Sequence, residues 1–365
     1  MTDPLLSIRD LRTVFHTDEG LVRAVDGVSF EVGRGETVCI VGESGSGKTV
    51  TGESITRLVR TPPGEITADG VVFDGRDLTT LSDAELRTLR GDHIAHVFQN
   101  PQGALNPVYT VGWQIVEAIQ LHEDVSRAAA RSRGIDLLDR VGIPEATRRF
   151  DDYPHEFSGG MKQRVALAMA LAPNPDLLIA DEPTTALDVT IQNQILDLLG
   201  ELQDEFDMSI LLITHDLGVV AEVADRVIVM YAGKVMERGG VFDVFERPSH
   251  PYTRALLDCL PGRGDGARSI GGTLPPPTDP PDGCRFHPRC EYAVDACRGG
   301  EQPPHCAVDG DDDHVVSCVH YEPGGDPSVV RGEGVVPTDG GRPVGAADAE
   351  ADGEATTDPD VEDDP

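Results

Sequence analysis

The sequence predicts an α/β fold built around a parallel sheet. The first observation is a set of short, continuous apolar runs, because strands of a parallel sheet are covered on both faces and carry few polar residues. The runs lie at residues 37–41, 177–180, 210–214 and 227–230. The second observation is that apolar residues from Ile191 to Leu202 recur at helical spacing between the second and third runs. An order of strand, helix and strand is typical of a parallel sheet.

Composition divides the chain of 365 residues into four parts. Residues 1–260 have the mixed pattern of a folded unit, in which residues 101–158 lack strand patterns and predict a helical subdomain. Residues 261–283 are rich in Gly and Pro and predict a linker that separates the first unit from a small cysteine domain at 284–321. Residues 322–365 hold 13 acidic and 2 basic residues with little to bury, and they predict a disordered tail.

The charge balance limits the partners of the protein. Sixty-four acidic and 30 basic residues give a formal net charge of −34, which argues against binding to nucleic acids or to anionic membranes. Lysine occurs only three times, and this acidic, arginine-rich composition resembles that of haloarchaeal proteins. No apolar run reaches 18 residues, and Asp3 and Asp10 lie where a secretory signal requires a basic and then an apolar segment. We expect the chain to stay in the cytoplasm.

A phosphate-binding loop follows the first apolar run. Eight residues fit the pattern G-x-x-x-x-G-K-[ST], with a predicted strand before them and a helix predicted over residues 49–60 after them. They are Gly42, Glu43, Ser44, Gly45, Ser46, Gly47, Lys48 and Thr49. In such a loop backbone N–H groups surround the phosphates, the lysine reaches the outer phosphates and the final hydroxyl binds Mg²⁺. The pattern predicts an ATP site.

Two carboxylates follow the second apolar run. Asp181 and Glu182 lie directly after residues 177–180, where a strand is predicted to end. An acidic pair after a strand is common by itself. Together with the phosphate-binding loop, it predicts that Asp181 orients Mg²⁺ and that Glu182 polarises the attacking water.

Further motifs resemble those of ABC ATPases. The first is a Ser-Gly-Gly-Met sequence that opens a helical pattern and resembles the family's signature loop, although Met161 stands where glutamine is usual. Its residues are Ser158, Gly159, Gly160 and Met161. The other motifs follow in the family's order, with an aromatic residue upstream, a Q-loop, a D-loop and a switch histidine. Their residues are Phe15, Gln99, Asp188 and His215. The resemblance implies a P-loop ATPase with a parallel-sheet core, an antiparallel β subdomain and a helical subdomain.

This resemblance also implies a role for each motif residue. Phe15 would stack on adenine, with His16 as a competing candidate. Gln99 would connect the γ-phosphate and Mg²⁺ to a membrane partner, and His215 would contact the γ-phosphate. The implied catalytic residues are Lys48, Glu182 and His215, and the implied Mg²⁺ ligands are Thr49, Gln99 and Asp181. Because these residues are all present, we expect hydrolysis of ATP as well as binding.

A narrower resemblance covers most of the chain up to Tyr321. The segments VGESGSGK, ALNP, PHEFSGGMKQR and PSHPYT are similar to those of the ATP-binding subunits of oligopeptide/dipeptide importers, a family with nickel and sugar members. The resemblance implies a head-to-tail dimer with a second ABC ATPase, commonly a different chain, so that ATP lies between a P-loop and the partner's signature loop. It also implies two membrane permeases, an extracellular solute-binding protein and a peripheral location on the cytoplasmic face of the cell membrane.

Two other functions share these core motifs. One is a soluble ABC ATPase of DNA repair or translation, although such lineages carry long coiled coils or tandem cassettes. The other is a regulatory ATPase paired with an active sibling, which would be expected to lack Glu182 or His215. Neither loss is seen in the sequence.

The C-terminal cysteines predict a metal centre. Their spacing differs from the C-x₂-C pairs of most structural zinc sites, so the chemistry alone leaves zinc, an iron–sulfur cluster and a metal-free state open. The resemblance implies a [4Fe–4S] cluster with a structural role, held by Cys284, Cys290, Cys297 and Cys318. Cys306 is an alternative fourth ligand, and similarity around Cys318 to the family's closing motif favours Cys318.

Overall fold

The computed structural model describes residues 3–99, 101–185, 188–260 and 270–331. Within these ranges the strands are β1 (Leu6–Thr17), β2 (Gly20–Val32), β3 (Thr37–Val41), β4 (Gly64–Thr67), β5 (Gly70–Phe73), β6 (Arg76–Asp77), β7 (Ile94–Val97), β8 (Leu177–Asp181), β9 (Ser209–Ile213), β10 (Arg226–Tyr231), β11 (Lys234–Gly240), β12 (His305–Val308) and β13 (Asp311–Ser317). The helices are α1 (Lys48–Ile55), α2 (Asp83–Asp92), α3 (Pro101–Ala104), α4 (Val111–His122), α5 (Arg127–Arg140), α6 (Ala146–Arg149), α7 (Gly159–Leu171), α8 (Val189–Phe206), α9 (Leu217–Val223), α10 (Val241–Glu246), α11 (Pro251–Asp258) and α12 (Ser328–Arg331).

The predicted parallel sheet is confirmed. Strands β10, β3, β9, β8 and β7 lie side by side in this order, and each neighbouring pair is parallel. All residues of β3, β8 and β9 are buried, as expected for strands that are covered on both faces. Alternate residues of β3 face opposite sides, so that Val38 and Ile40 lie in one hydrophobic core while Cys39 and Val41 lie in the other.

A second, antiparallel sheet covers one face of the parallel sheet. Its strands run in the order β2, β1, β5 and β6, and β4 pairs with the far end of β1. The core between the two sheets includes Leu6 and Phe30 from the antiparallel sheet and Ile179 and Ile213 from the parallel one. This layer brings β2 against the loop that follows β3.

The segment predicted to be a helical subdomain is helical. Residues 101–158 contain α3, α4, α5 and α6, and they pack with α7 and α8 into the core on the opposite face of the parallel sheet. The helix predicted over residues 49–60 is shorter, because α1 ends at Ile55. The carbonyls of Thr56 and Arg57 accept hydrogen bonds from the Arg90 guanidinium, at 2.8 and 2.9 Å, instead of continuing the helix.

The cysteine segment is joined to the main sheet, which differs from the predicted separate domain. Strand β13 pairs antiparallel with β11, and β12 extends the sheet beyond β13. The described part of the predicted linker, residues 270–283, also packs on the folded unit. Leu274 contacts the main core, and the Arg23 N–H donates to the Pro277 carbonyl at 3.0 Å. Residues 261–269 lie outside the described part of the chain.

A buried carboxylate connects three parts of this C-terminal region. Glu237 in β11 is 0% exposed and accepts hydrogen bonds from the backbone N–H groups of Ser249 and His250, both at 2.8 Å. His314 in β13 lies 2.8 Å from the same carboxylate. The His250 imidazole caps α11 by accepting from the Tyr252 N–H at 3.0 Å. The motif PSHPYT therefore fixes α11 against the sheet.

The tail predicted to be disordered from residue 322 is folded as far as Arg331. Val330 in α12 is fully buried against Val308 and Val316, and Arg331 donates to the Asp309 carboxylate at 2.7 Å. Arg331 also donates to the Tyr321 hydroxyl at 3.1 Å, so this short segment is held by apolar packing and by polar contacts. Residues 332–365 lie outside the described ranges. Among the helices of the described residues, none has the length and hydrophobicity needed to cross a bilayer.

Candidate functional site

The loop between β3 and α1 has the close backbone packing of a phosphate-binding loop. Gly42 and Gly47 have positive φ angles of 151° and 101°. A Cβ atom at Gly42 would lie 2.1 Å from the Met230 carbonyl oxygen, and one at Gly47 would lie 2.2 Å from the Ala24 carbonyl oxygen. Both positions therefore require glycine, because strands β10 and β2 approach the loop too closely for a side chain.

Lys48 is the first residue of α1 and closes this loop. Its ammonium group donates to the carbonyls of Gly42 and Glu43, at 2.8 and 3.0 Å. Burial lowers the pKa of Lys48, while the nearby charges of Glu182 and Asp181 act in the opposite direction. The lysine is thus a buried cation that faces the acidic pair across the site.

Asp181 lies at the end of β8 and contacts the hydroxyl group predicted to bind Mg²⁺. The Thr49 Oγ1 atom donates to Asp181 Oδ1 at 3.2 Å. Burial and the charge of Glu182 raise the pKa of Asp181, although the Thr49 hydrogen bond opposes the shift. The Thr49 hydroxyl and the Asp181 carboxylate are thus adjacent, and both are hard oxygen ligands of the type that Mg²⁺ prefers.

Glu182 receives side-chain contacts from two other segments of the site and from its own loop. Gln99 Nε2 donates to Glu182 Oε2 at 2.8 Å, and the Thr185 hydroxyl donates to the same oxygen at 2.9 Å. His215 Nδ1 lies 3.0 Å from Glu182 Oε1. Burial favours the neutral acid, but the hydrogen bonds from Thr185, His215 and Gln99 outweigh burial and lower the pKa of Glu182. The carboxylate is therefore ionised near neutral pH.

The structure brings together most of the residues predicted for the ATP site. Gln99, Glu182 and His215 follow β7, β8 and β9, which are adjacent strands whose carboxyl ends share one edge of the sheet. Thr185 was not predicted, because a hydroxyl three residues after an acidic pair has no distinctive sequence signal. Phe15 is half-buried in β1, where it pairs with Val22 and lies beside Gly64.

The predicted signature loop and D-loop lie together, apart from the P-loop. Ser158 caps α7 by accepting from the Met161 N–H at 3.3 Å, and Asp188 caps α8 by accepting from the Ile191 N–H at 3.0 Å. A Cβ atom on Gly160 would lie 2.8 Å from the Ile191 side chain, so the two helix starts are in contact.

The separation between these loops follows from the strand order. Helix α7 packs against β7, and three strand spacings, roughly 14 Å, separate β7 from β3. Among the described residues, no hydrogen bond joins residues 158–161 to residues 42–49. In the described structure residues 158–161 therefore lie apart from residues 42–49.

A groove lies beside the Gln99 position, between β7 and helices α3, α4 and α7. Its volume is about 540 Å³, and its lining includes Phe98, Ala104, Leu121 and Met169. Phe98 is 45% exposed and Leu121 is 75% exposed. Phe98 lines the groove and directly precedes Gln99, whose side chain donates to Glu182. Gln99 therefore connects the groove with the Glu182 carboxylate.

The four cysteines predicted as ligands lie near one another. The Cys284 N–H donates to the Cys297 carbonyl at 3.0 Å. Burial raises the pKa of Cys318, and the charges of Cys284, Cys290 and Cys297 add to this shift. Burial also raises the pKa of Cys284 to about 11 and that of Cys290 to about 12.

Cys306 lies in β12, where it pairs with Val316 of β13. Burial and then the charge of Glu322 raise the pKa of Cys306, whereas Cys284, Cys290 and Cys297 are among the groups that raise the pKa of Cys318. Across the described ranges, no three His, Cys, Asp or Glu side chains are arranged to hold a single metal ion. In a four-iron cluster each cysteine binds a different iron, so the thiols stand farther apart than the ligands of one ion.

The order of the strands, the P-loop after β3 and the polar residues after β7, β8 and β9 define a P-loop nucleotide hydrolase. The family model described as "ABC transporter" matches residues 25–185, and the one described as "Oligopeptide/dipeptide transporter, C-terminal region" matches residues 236–297. The chain belongs to the ABC transporter family of ATP-binding subunits, and it is an ATPase.

Curated relatives cover most of the chain. This chain is 51% identical to the oligopeptide transport ATP-binding protein OppD of Bacillus subtilis, over 80% of this chain and 82% of that protein. It is 50% identical to the dipeptide transport ATP-binding protein DppD of Escherichia coli, over 84% of this chain and 94% of that protein.

A solved structure supports the fold. The dimeric, post-hydrolysis structure of the ATP-binding cassette MJ0796 with ADP and Pi matches with a TM-score of 0.58 and 30% identity. The match covers 65% of this chain and 98% of that one.

Proposed function

We propose that this chain is the ATP-hydrolysing subunit of an ABC importer for peptides, working at the cytoplasmic face of the cell membrane. The observation that carries the proposal is Glu182, an ionised carboxylate held by Gln99, Thr185 and His215 next to a P-loop lysine. The relatives named as oligopeptide and dipeptide transport proteins support the choice of solute. They also disfavour the reading as a DNA repair or translation ATPase.

In this proposal each group in the site has a separate task. The amides of residues 42–49 and Lys48 bind the phosphates, and Phe15 stacks on adenine. Mg²⁺ is held through Thr49, Gln99 and Asp181, and when bound it neutralises phosphate charge. Glu182 accepts a proton from the attacking water, while His215 holds the carboxylate and contacts the γ-phosphate.

The ATP site is completed by a second subunit. Because the signature loop of this chain lies about three strands from its own P-loop, residues 158–161 serve the P-loop of a partner ATPase, and Asp188 lies at the same interface. We propose a heterodimer with a different ABC ATPase chain. The dimeric form of MJ0796 supports pairing between cassettes.

The groove beside Gln99 is the proposed docking site for a permease subunit. The complex would contain two permeases, one docked on each ATPase, and an extracellular solute-binding protein would deliver the peptide. Its lining is mostly apolar, with Phe98 and Leu121 exposed, and it contacts the site through Phe98 and Gln99. A cytoplasmic permease helix seated there would move with the Gln99 side chain. When the ATPase dimer closes on ATP, the docked helix would transmit this movement to the permeases. The peptide path through the permeases would then change the side of the membrane to which it opens.

A single substitution in the groove tests this proposal. Tagged chain purified from its native strain should recover two membrane subunits and a second ATPase, whereas Leu121→Asp should recover roughly a tenth as much of the membrane subunits. The substitution leaves the fold intact because Leu121 is 75% exposed. ATP binding should be unchanged.

Phe242→Asp is the matched control, since Phe242 is also 75% exposed but lies on α10. It should recover the membrane subunits at the wild-type level. Equal recovery by Leu121→Asp and wild type would contradict the docking site. Recovery of DNA or ribosomes in place of membrane subunits would contradict the importer function.

For the cysteines we propose a structural [4Fe–4S] cluster held by Cys284, Cys290, Cys297 and Cys318. The grouping of these four thiols supports it, because the other cysteines influence the pKa of Cys318 and of Cys290. Zinc is the alternative metal, but it is disfavoured because no three side chains of the described residues are arranged to hold a single ion.

The proposed cluster can be tested by measuring the iron content of the purified protein. Chain purified without oxygen should be brown and hold about four irons. Cys318→Ser should lose most of the iron, and the control Cys306→Ser should keep it. Colourless protein with one zinc would exclude the cluster, and iron that is lost only in Cys306→Ser would exclude Cys318 as the fourth ligand.

A further inference from the structure

One residue of the P-loop is held by groups from the C-terminal region. The Glu43 N–H donates to the Tyr252 hydroxyl at 2.9 Å, and Glu43 Oε2 accepts from Arg289 Nη1 at 2.9 Å. The carbonyl of the same residue accepts from the Lys48 ammonium group. Glu43 therefore connects the lysine of the ATP site with α11 and with the cysteine segment.

Each nitrogen of the Arg289 guanidinium group donates at least one hydrogen bond, and these bonds fix the side chain in this position. Its side chain is 5% exposed, and Nε donates to the Gly271 carbonyl at 2.7 Å while Nη2 donates to the Ile270 carbonyl at 3.1 Å. Nη1 reaches the Tyr231 hydroxyl at 3.2 Å in addition to Glu43. Only a planar fork with several donors makes all of these contacts, so a lysine would replace the charge but not the geometry.

The charge of Glu43 makes this contact important for nucleotide binding. Its carboxylate lies within the loop that receives the negatively charged phosphates, and its Oε1 atom is buried without a hydrogen-bond partner in the described structure. Left unpaired, a partly buried negative charge would repel the phosphates and be costly to hold in the loop. Arg289 is the cation that pairs with it in the described structure.

Arg289 also directly precedes one of the proposed cluster ligands. It ends a short helical turn, residues 287–289, that lies between Cys284 and Cys290, and its N–H donates to the Phe286 carbonyl at 3.0 Å. The position of the guanidinium group thus depends on the fold of the cysteine segment.

We propose that Arg289 is a positioning residue of the ATP site, which neutralises and fixes Glu43 so that the cysteine segment sets the affinity of the P-loop for nucleotide. The inference rests on ATP binding at the P-loop, and it does not depend on which solute the transporter carries. It assigns to the C-terminal region an effect on the nucleotide site, in addition to its structural role.

The test measures the affinity of the full-length chain for Mg-ATP with a fluorescent ATP analogue. Arg289→Gln should weaken binding roughly tenfold, because it leaves Glu43 charged and unpaired. Arg289→Lys should recover part of this loss. Arg298→Gln is the matched control, since Arg298 is exposed one residue after Cys297, and its affinity should equal that of wild type.

A second substitution separates this role from a merely structural one. Glu43→Gln removes the charge that Arg289 neutralises, so the double variant with Arg289→Gln should bind Mg-ATP more tightly than Arg289→Gln alone. In the assembled complex Arg289→Gln should raise the KM for ATP and leave kcat within about twofold. Wild-type affinity in Arg289→Gln would overturn the proposal, and so would an equal loss in the single and double variants.

Loss of folding in Arg289→Gln that Glu43→Gln does not rescue would also overturn it. Because affinity is measured on the chain alone, the outcome is independent of whether the assembled complex moves peptides. Failure of the importer proposal would instead appear in the co-purification experiment.

Discussion

Glu182→Gln is expected to keep ATP binding and to lower the rate of hydrolysis by roughly 10² to 10⁴-fold. The amide has nearly the same shape as the carboxylate, so contacts with Gln99 and Thr185 can be kept after a small rearrangement. What is lost is the ionised oxygen that accepts a proton from water, a contribution of this size in general base catalysis. ATP that is bound but not cleaved should also trap the closed dimer.

The measurement is steady-state ATPase activity of the assembled complex, together with nucleotide occupancy and size-exclusion chromatography. Glu201→Gln serves as the control, because Glu201 is an exposed glutamate on α8 away from the site. It should keep wild-type turnover. Turnover near the wild-type rate in Glu182→Gln would remove Glu182 from the proposed role.

Lys48→Ala should instead weaken the binding of Mg-ATP by about 100-fold. The ammonium group is the buried cation of the loop, and Glu182, Asp181 and Glu43 all lie near enough to influence its pKa. Without it, the phosphates would face these carboxylates with no lysine between them, and charge-assisted hydrogen bonds to the outer phosphates would be lost.

Lys162→Ala is the control for this second experiment. Lys162 lies in the first turn of α7, beyond the signature loop, and should not affect nucleotide binding by the isolated chain. The measurement is titration with a fluorescent ATP analogue. Affinity in Lys48→Ala within threefold of wild type would show that the P-loop amides alone bind the phosphates.

The parallel sheet was predictable because its strands are buried on both faces. Four runs without charged residues became β3, β8, β9 and β10, with ends displaced by at most one residue. The antiparallel strands β1 and β2 have mixed patterns of buried and exposed residues and irregular pairing, so only the family resemblance implied them. The end of α1 was missed because Arg57 adopts a positive φ of 53° and Arg90, 34 residues from Thr56, binds the Thr56 carbonyl.

In the candidate ATP site, the motifs predicted which residues lie close together. They did not predict every other residue that contacts the site. Gln99, Glu182 and His215 carry recognisable local sequences, and adjacent strands bring them together. Arg289 has no such local signal, because it lies 246 residues from Glu43 in the chain. The Gly- and Pro-rich composition of the linker also suggested separation, whereas Ile270 and Gly271 are bound by Arg289.

The pairing of β13 with β11 makes the cysteine segment part of one cooperative folding unit. Val315 and Val316 cover the edge of β11, and Glu237 on that strand binds backbone groups of α11 and faces His314 of β13. A chain cut before Cys284 would expose unpaired backbone groups along β11, a surface that favours aggregation. Loss of order in this region would therefore spread through β10 to the strand that carries the P-loop.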